Sequence, residues 1–211
     1  MAIAKFYSST FPPSPLRVNH MLKLKGIELD FVEIDMMKAE QMSDEYKSVN
    51  PEGTIPALLL DDGTLLTEVI GILHYLEETY PEVPLMGTSA VEKAQVSGWI
   101  HKIMMQGLMS VAEVLRNGAA PGFENRALPG PLDFEQIPAL IERGTKKLAH
   151  FFIATNAHLE GRDWLVGDSV TQADIDLFVS CSFAAIIRQK VDSESMPNLA
   201  AHQARMSALL S

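Results

Sequence analysis

The run Asn50-Pro51-Glu52-Gly53-Thr54-Ile55-Pro56-Ala57-Leu58-Leu59-Leu60 holds the residues whose order is best suited to binding chemistry. Pro51 and Gly53 mark a turn, and Pro56 stands directly before an apolar run that reads as a buried strand. Proline has no N–H to give to a sheet ladder, so at a strand entrance it leaves part of the neighbouring edge open. With a trans Ile55-Pro56 bond this is an ordinary strand start. A cis bond, found in only about 5–6% of X-Pro pairs, turns the N–H and C=O of Ile55 toward that edge. The two groups would then grip an extended peptide as a neighbouring strand does. The stretch by itself fits either isomer.

Other reactive residue types are sparse. Cys181 is the single cysteine, which excludes an internal disulfide and a cysteine metal cluster. It lies in an apolar helical run, where a free thiol behaves as a small hydrophobe. His74 and His101 lie on helical stretches without a ligand partner at metal-binding spacing, so no metal site is expected. No Ser–His–Asp set can be argued from residue order. The formal net charge of −10 speaks against general affinity for nucleic acid or anionic membrane. No apolar run reaches the length of about 18 residues that a membrane span needs. The N-terminus lacks a charged start followed by a long apolar stretch, so a cytoplasmic protein is expected.

The elements that must position the Pro56 strand follow from periodicity. Ala2–Tyr7 reads as a short strand that ends in the loop Ser8-Ser9-Thr10-Phe11-Pro12-Pro13. Ser14-Pro15 reads as an N-cap with proline in the first turn, Val18, Met21 and Leu22 face inward, and Gly26 stops the helix. Ile27, Leu29 and Phe31 alternate with charged residues and predict a second strand, and Lys38 to Lys47 predict a short exposed helix. Asp61-Asp62-Gly63 makes a hairpin turn into Thr64-Leu65-Leu66, and Val69, Ile70, Leu73 and Leu76 sit at helical spacing up to Tyr80-Pro81. The order is βαβαββα, a thioredoxin-like layer over residues 1–80, followed by a linker at 81–89. Residues 90–211 form an all-helical bundle domain in this reading, so the fold class is α/β plus all-α. Its long helix runs from Val91 to about Asn117 and breaks at 118–122, and a further helix covers about 136–159. The capping box Thr171-Gln172-Ala173-Asp174 opens a helix apolar on nearly every side, which belongs in the middle of a bundle.

Three motifs in order, Asn50-Pro51-x-Gly53-x-Ile55-Pro56-Ala57-Leu58, Leu66-Thr67-Glu68-Val69-Ile70-Gly71-Ile72-Leu73 and Gly167-Asp168-Ser169-Val170-Thr171-x-Ala173-Asp174, resemble the cytosolic glutathione transferases along essentially the whole chain. The segments Ala120-Pro121-Gly122-Phe123 and Phe183-Ala184-Ala185-Ile186 look most like a bacterial and fungal branch. The resemblance implies the glutathione-transferase fold, glutathione as co-substrate, a small hydrophobic electrophile as second substrate, and a homodimer. It implies that Pro56 is the cis proline and that Ile55 pairs its backbone with the cysteinyl part of glutathione. Glu68 and the backbone of Val69 would hold the γ-glutamyl end, and Gln41 and Thr54 would face the glycyl carboxylate. Many relatives carry Ser where Val69 stands, and several carry Lys where Thr54 stands.

A thiol of pKa about 8.5 is only a few per cent ionised at neutral pH, so such a site must favour the thiolate. The family places a donor after the first strand or at the first helix start. Here Ser14, Ser9 and Thr10 are the candidates, with Tyr7 and Ser8 beside them. Branches that hold sulfur through a water point instead to Glu113 and Asn117. The electrophile would meet Phe11, Pro12, Ile103, Met104, Gln106, Gly107 and Met109. Alternatives are a non-catalytic glutathione-binding or interaction module of this fold, or a glutathione-dependent isomerase or reductive lyase.

Overall fold

The structure, a computed structural model, describes residues 2–118 and 122–211. The centre of the expected 118–122 break and Ala120-Pro121 of the branch signature lie outside the described residues. The chain forms two compact units, one running to Val83 and including Pro129–Leu132, the other comprising Pro84–Leu128 and Asp133–Ser211.

In the first unit β1 (Ile3–Ser8), α1 (Pro13–Lys25), β2 (Phe31–Glu33), α2 (Asp44–Lys47), β3 (Ala57–Leu60), β4 (Leu65–Leu66) and α3 (Val69–Thr79) follow in the expected βαβαββα order. The sheet order is β2-β1-β3-β4. β1 and β2 are parallel, as a crossover helix requires, while β1–β3 and β3–β4 are antiparallel. Phe6, Val18, Met21, Leu58, Ile72, Leu73 and Leu76 are buried to within 1% exposure and form the centre of this unit. Lys25 ties the end of α1 to the end of α3. Its Nζ lies 2.7 Å from Glu77 Oε2 and donates to the carbonyls of Tyr80 and Val83 at 2.8 and 2.6 Å.

Three local expectations are corrected. The second strand covers only 31–33 of the expected 27–33, because Phe31, Val32 and Glu33 pair with Phe6, Tyr7 and Ser8. Ile27 is instead part of the α1 stop, its N–H donating to Leu22 O past the left-handed Gly26. Ser14 is not the N-cap: α1 begins at Pro13 after an extended Pro12, with no side-chain cap. Proline at the first helical position needs no partner for an N–H and presets φ, so Pro13 starts the helix two residues early. The polar stretch 38–47 is not one exposed helix. It holds 3-10 turns at Met36–Lys38 and Glu40–Met42, and α2 is anchored by buried Tyr46 and capped by Ser43 Oγ.

The second unit contains α4 (Ala90–Lys102), α5 (Met109–Asn117), α6 (Ala139–His158), α7 (Gln172–Ala184) and α8 (Pro197–Leu209). A capping box of Ser89 and Glu92 opens α4. A π-helical segment, Ile103–Leu108, joins α4 to α5. Its Gly107 has no room for a side chain, since a Cβ would collide with Ser180 Oγ and lie 3.1 Å from Phe151. α7 is the buried central helix that its composition predicts. Asp174 closes its capping box on Thr171 and also accepts from Leu165 N–H, while His202 of α8 lies 2.9 Å away. Cys181 is buried and free, and burial pushes its thiol pKa upward, as expected of a packing residue.

Candidate functional site

Strand register gathers the candidate residues at one end of the sheet. Tyr7 pairs with Ala57, so the Ser8-Ser9 end of β1 lies beside the entrance to β3. Leu58 pairs with Leu66, which puts the exit of β4, and with it Glu68, at the level of Pro56. Ser8 pairs with Glu33, so β2 also ends there.

The Ile55-Pro56 peptide is cis. Ile55 is buried in a cluster with Ile34 and Tyr46, against which Tyr7, Val32 and Met36 pack. The residue before it is locked by two donors: Tyr46 Oη reaches Thr54 O at 2.6 Å and Asn50 Nδ2 reaches the same oxygen at 2.8 Å. Burial is the main cause pushing the Tyr46 phenol up to about 12, so it stays a neutral donor. Asn50 is 1% exposed, and its Oδ1 accepts the Glu52 N–H while its amide also meets Thr54 Oγ1. Gly53 closes this turn at φ 61, and a Cβ there would stand 3.0 Å from Gln41 O and Met42 Sδ. The turn is thereby seated on the backbone of Gln41. Gln41 is 4% exposed, and its Oε1 has no hydrogen-bond partner among the described residues.

Glu68 adopts φ 60, ψ 124 at the N-cap of α3, a conformation that costs a non-glycine residue about 1–3 kcal/mol. Its carboxylate caps no N–H of the helix, and Val69, the first helical residue, is 7% exposed. The start of α3 therefore presents uncapped N–H groups, a favourable place for an anion, beside an exposed carboxylate that can meet a cation.

The hydroxyl candidates separate clearly. Ser8 Oγ donates to Asn19 Oδ1 at 2.9 Å, and Ser9 Oγ donates to Glu33 Oε1 at 3.1 Å. Ser9 is buried and Thr10 is exposed. Ser14 lies half-buried in the first turn of α1. Glu113 is paired with Arg143 at 2.7 Å, and Asn117 holds Glu113 O and the Ile137 N–H, so both have structural work in the second unit. Of the residues expected to meet an electrophile, Ile103 and Gly107 are buried inside the second unit, while Met104, Gln106 and Met109 are half-buried and Phe11 is 66% exposed. The sequence alone singles out neither Tyr46 nor Glu33, and it marks Asn50 as the first residue of a motif without assigning it a contact.

The chain matches the glutathione S-transferase N-terminal domain over residues 12–79 and the glutathione S-transferase C-terminal domain over residues 127–209. It is 31% identical to glutathione S-transferase GstA of Escherichia coli O157:H7, over 88% of this chain and 84% of that one. Among solved structures, Gtt2 of Saccharomyces cerevisiae is 29% identical with a TM-score of 0.83, over 96% of this chain and 95% of that one. A glutathione S-transferase of Methylobacillus flagellatus with GSH bound is 26% identical with a TM-score of 0.78, over 96% and 93% of the two chains. The chain belongs to the glutathione S-transferase family, enzymes that use glutathione as co-substrate. Among its described residues no helix is long and apolar enough to cross a membrane.

Proposed function

We propose that this protein conjugates the thiolate of glutathione to small hydrophobic electrophiles. The cysteinyl main chain of glutathione lies antiparallel to Ile55 and exchanges hydrogen bonds with it, as an added strand does. The γ-glutamyl carboxylate sits on the N–H groups that open α3, and its ammonium meets Glu68. The glycyl carboxylate falls near Gln41 and Thr54, a neutral pair, so this end contributes less to affinity than a lysine would. A small turn of the Gln41 amide presents Nε2 rather than Oε1 to that carboxylate, since the two ends differ only by a flip.

The observation that carries this reading is the backbone of Glu68. A non-glycine residue at φ 60, ψ 124 whose side chain caps no N–H of its own helix stores strain where a ligand would be gripped. Ser14, at the first turn of α1, is the donor we assign to sulfur, with Thr10 the next candidate and Ser9 set aside because its hydroxyl is bonded to Glu33. A donor to sulfur that lowers the thiol pKa by about two units raises the thiolate fraction roughly twentyfold at neutral pH. Holding both reactants together then adds the advantage of proximity. We infer further that the enzyme works in the cytoplasm as a homodimer, for which exposed Ile70, Val91 and Met105 offer apolar surface.

The test is conjugation of glutathione to an activated aryl chloride, followed with the wild type and Ser14→Ala. Turnover well above the buffer rate is expected, with a drop of about 10- to 100-fold in the variant. Turnover no faster than buffer would leave a glutathione-binding module without transferase chemistry.

A further inference from the structure

The segment between β1 and α1 is held from two sides. On the α1 side, Asn19 accepts the Ser8 hydroxyl and donates to Ser9 O, both at 2.9 Å. On the β2 side, a single oxygen of Glu33 accepts the Ser9 hydroxyl at 3.1 Å and the Thr10 N–H at 3.4 Å. Glu33 is an exposed residue at the end of an edge strand, paired in register with Ser8. Packing does not demand a carboxylate there, yet its oxygen collects two donors from one loop. Ser9 has one hydroxyl proton, and it is directed at Glu33 rather than into open space. Ser8, Ser9 and Thr10 are thereby fixed immediately ahead of the turn that carries Ser14.

We propose that Glu33 is a positioning residue for the thiol site, holding the β1–α1 loop so that the donor at the start of α1 faces the sulfur of bound glutathione. The proposal rests on the glutathione reading above. Glu33 acts through its acceptor oxygen and not through its charge. Glu33→Gln keeps an acceptor oxygen in place, whereas Glu33→Ala removes it. Ser9 shares the same bond, so its loss adds nothing once Glu33 is gone.

The experiment follows the ultraviolet absorbance of the bound glutathione thiolate against pH in the wild type, Glu33→Ala, Glu33→Gln and the double variant Glu33→Ala/Ser9→Ala. The wild type is read first: an unshifted thiol there removes the glutathione reading itself, and this proposal with it. With a depressed wild-type thiol, Glu33→Ala is expected to raise its pKa by about one unit, a tenfold loss of thiolate at a given pH below it. Glu33→Gln is expected to stay within about 0.3 unit of the wild type, and the double variant to match Glu33→Ala. Glu33→Ala with lowered thermal stability but an unchanged thiol pKa would reduce Glu33 to a structural tie and overturn the proposal. A Gln variant as impaired as the Ala variant would overturn it too, since charge would then be the cause.

Discussion

Asn50 and Tyr46 converge on one carbonyl, and removing them separately and together tests whether that carbonyl positions the site. Asn50→Ala deletes contacts of 2.8 and 3.2 Å to Thr54 and one of 3.2 Å from the Glu52 N–H, at a position 1% exposed. At about 1 kcal/mol for a well-made net hydrogen bond and less for the longer two, the expected loss is about 2–3 kcal/mol. Tyr46→Phe deletes only the 2.6 Å bond to Thr54 O, which keeps Asn50 as partner, so about 1 kcal/mol is expected. The double variant leaves Thr54 O with neither side-chain donor. It should therefore cost about 1–3 kcal/mol more than the sum of the single changes, the penalty of an unsatisfied buried acceptor. Urea unfolding of the four proteins gives the cycle, and calorimetric titration with glutathione gives its functional counterpart. Additivity within about 0.5 kcal/mol would refute the reasoning, because two donors to one oxygen cannot be independent. So would an Asn50→Ala variant that binds glutathione like the wild type.

Other outcomes follow from the same geometry. Glu68→Gly relieves the left-handed conformation and should leave the protein as stable or up to about 1 kcal/mol more stable, while glutathione binds at least about tenfold more weakly; unfolding and calorimetry on one preparation check both signs. Gly53→Ala places a Cβ 3.0 Å from a backbone oxygen at φ 61 and should cost about 1–3 kcal/mol in urea unfolding. The Tyr46 phenol titrates near 12 in the folded protein and near 10 when unfolded, so its contribution is intact below pH 10 and is lost as pH rises toward 12. Stability measured across that window should fall less steeply in Tyr46→Phe. Asp174→Ala removes the shared acceptor of Leu165, Thr171 and His202, all at a fully buried position, and should cost about 3–5 kcal/mol by thermal or urea unfolding.

Much of the fold is legible in the sequence because its signals are local. The Asn50-to-Leu60 turn and strand, the Gly26 stop, the Asp61-to-Gly63 hairpin and the Thr171-Asp174 box each depend on neighbours within a few residues, and each is present. Errors arise where partners distant in sequence decide. Ile27, Leu29 and Phe31 alternate convincingly, but pairing with Phe6 to Ser8 sets where the strand lies. Ser14 followed by Pro15 has the pattern of a cap only while both prolines ahead of it belong to the loop, and the second of them opens the helix. Gln41 sits in a polar stretch that suggests a solvated side chain, yet it is 4% exposed in the fold, beside a turn whose Gly53 packs against its backbone. The contacts of Glu33 with Ser9 and Thr10 need strand register before they can be seen at all. The π-helical segment before Met109 is a shift of backbone register that no residue type announces. By contrast, the Ser89–Glu92 box has the spacing of a capping signal and is readable without the fold.

The functional outcomes above rest on the proposed recognition of glutathione by its γ-glutamyl end, at Glu68 and the start of α3. Calorimetric titration of the wild type with glutathione and, in parallel, with the dipeptide Cys-Gly tests this most directly. Binding of glutathione at millimolar or tighter affinity, weakened at least about 100-fold, or about 2.7 kcal/mol, without the γ-glutamyl group, is the result expected. Equal affinity for the two peptides, or no heat from glutathione at millimolar concentration, would contradict it.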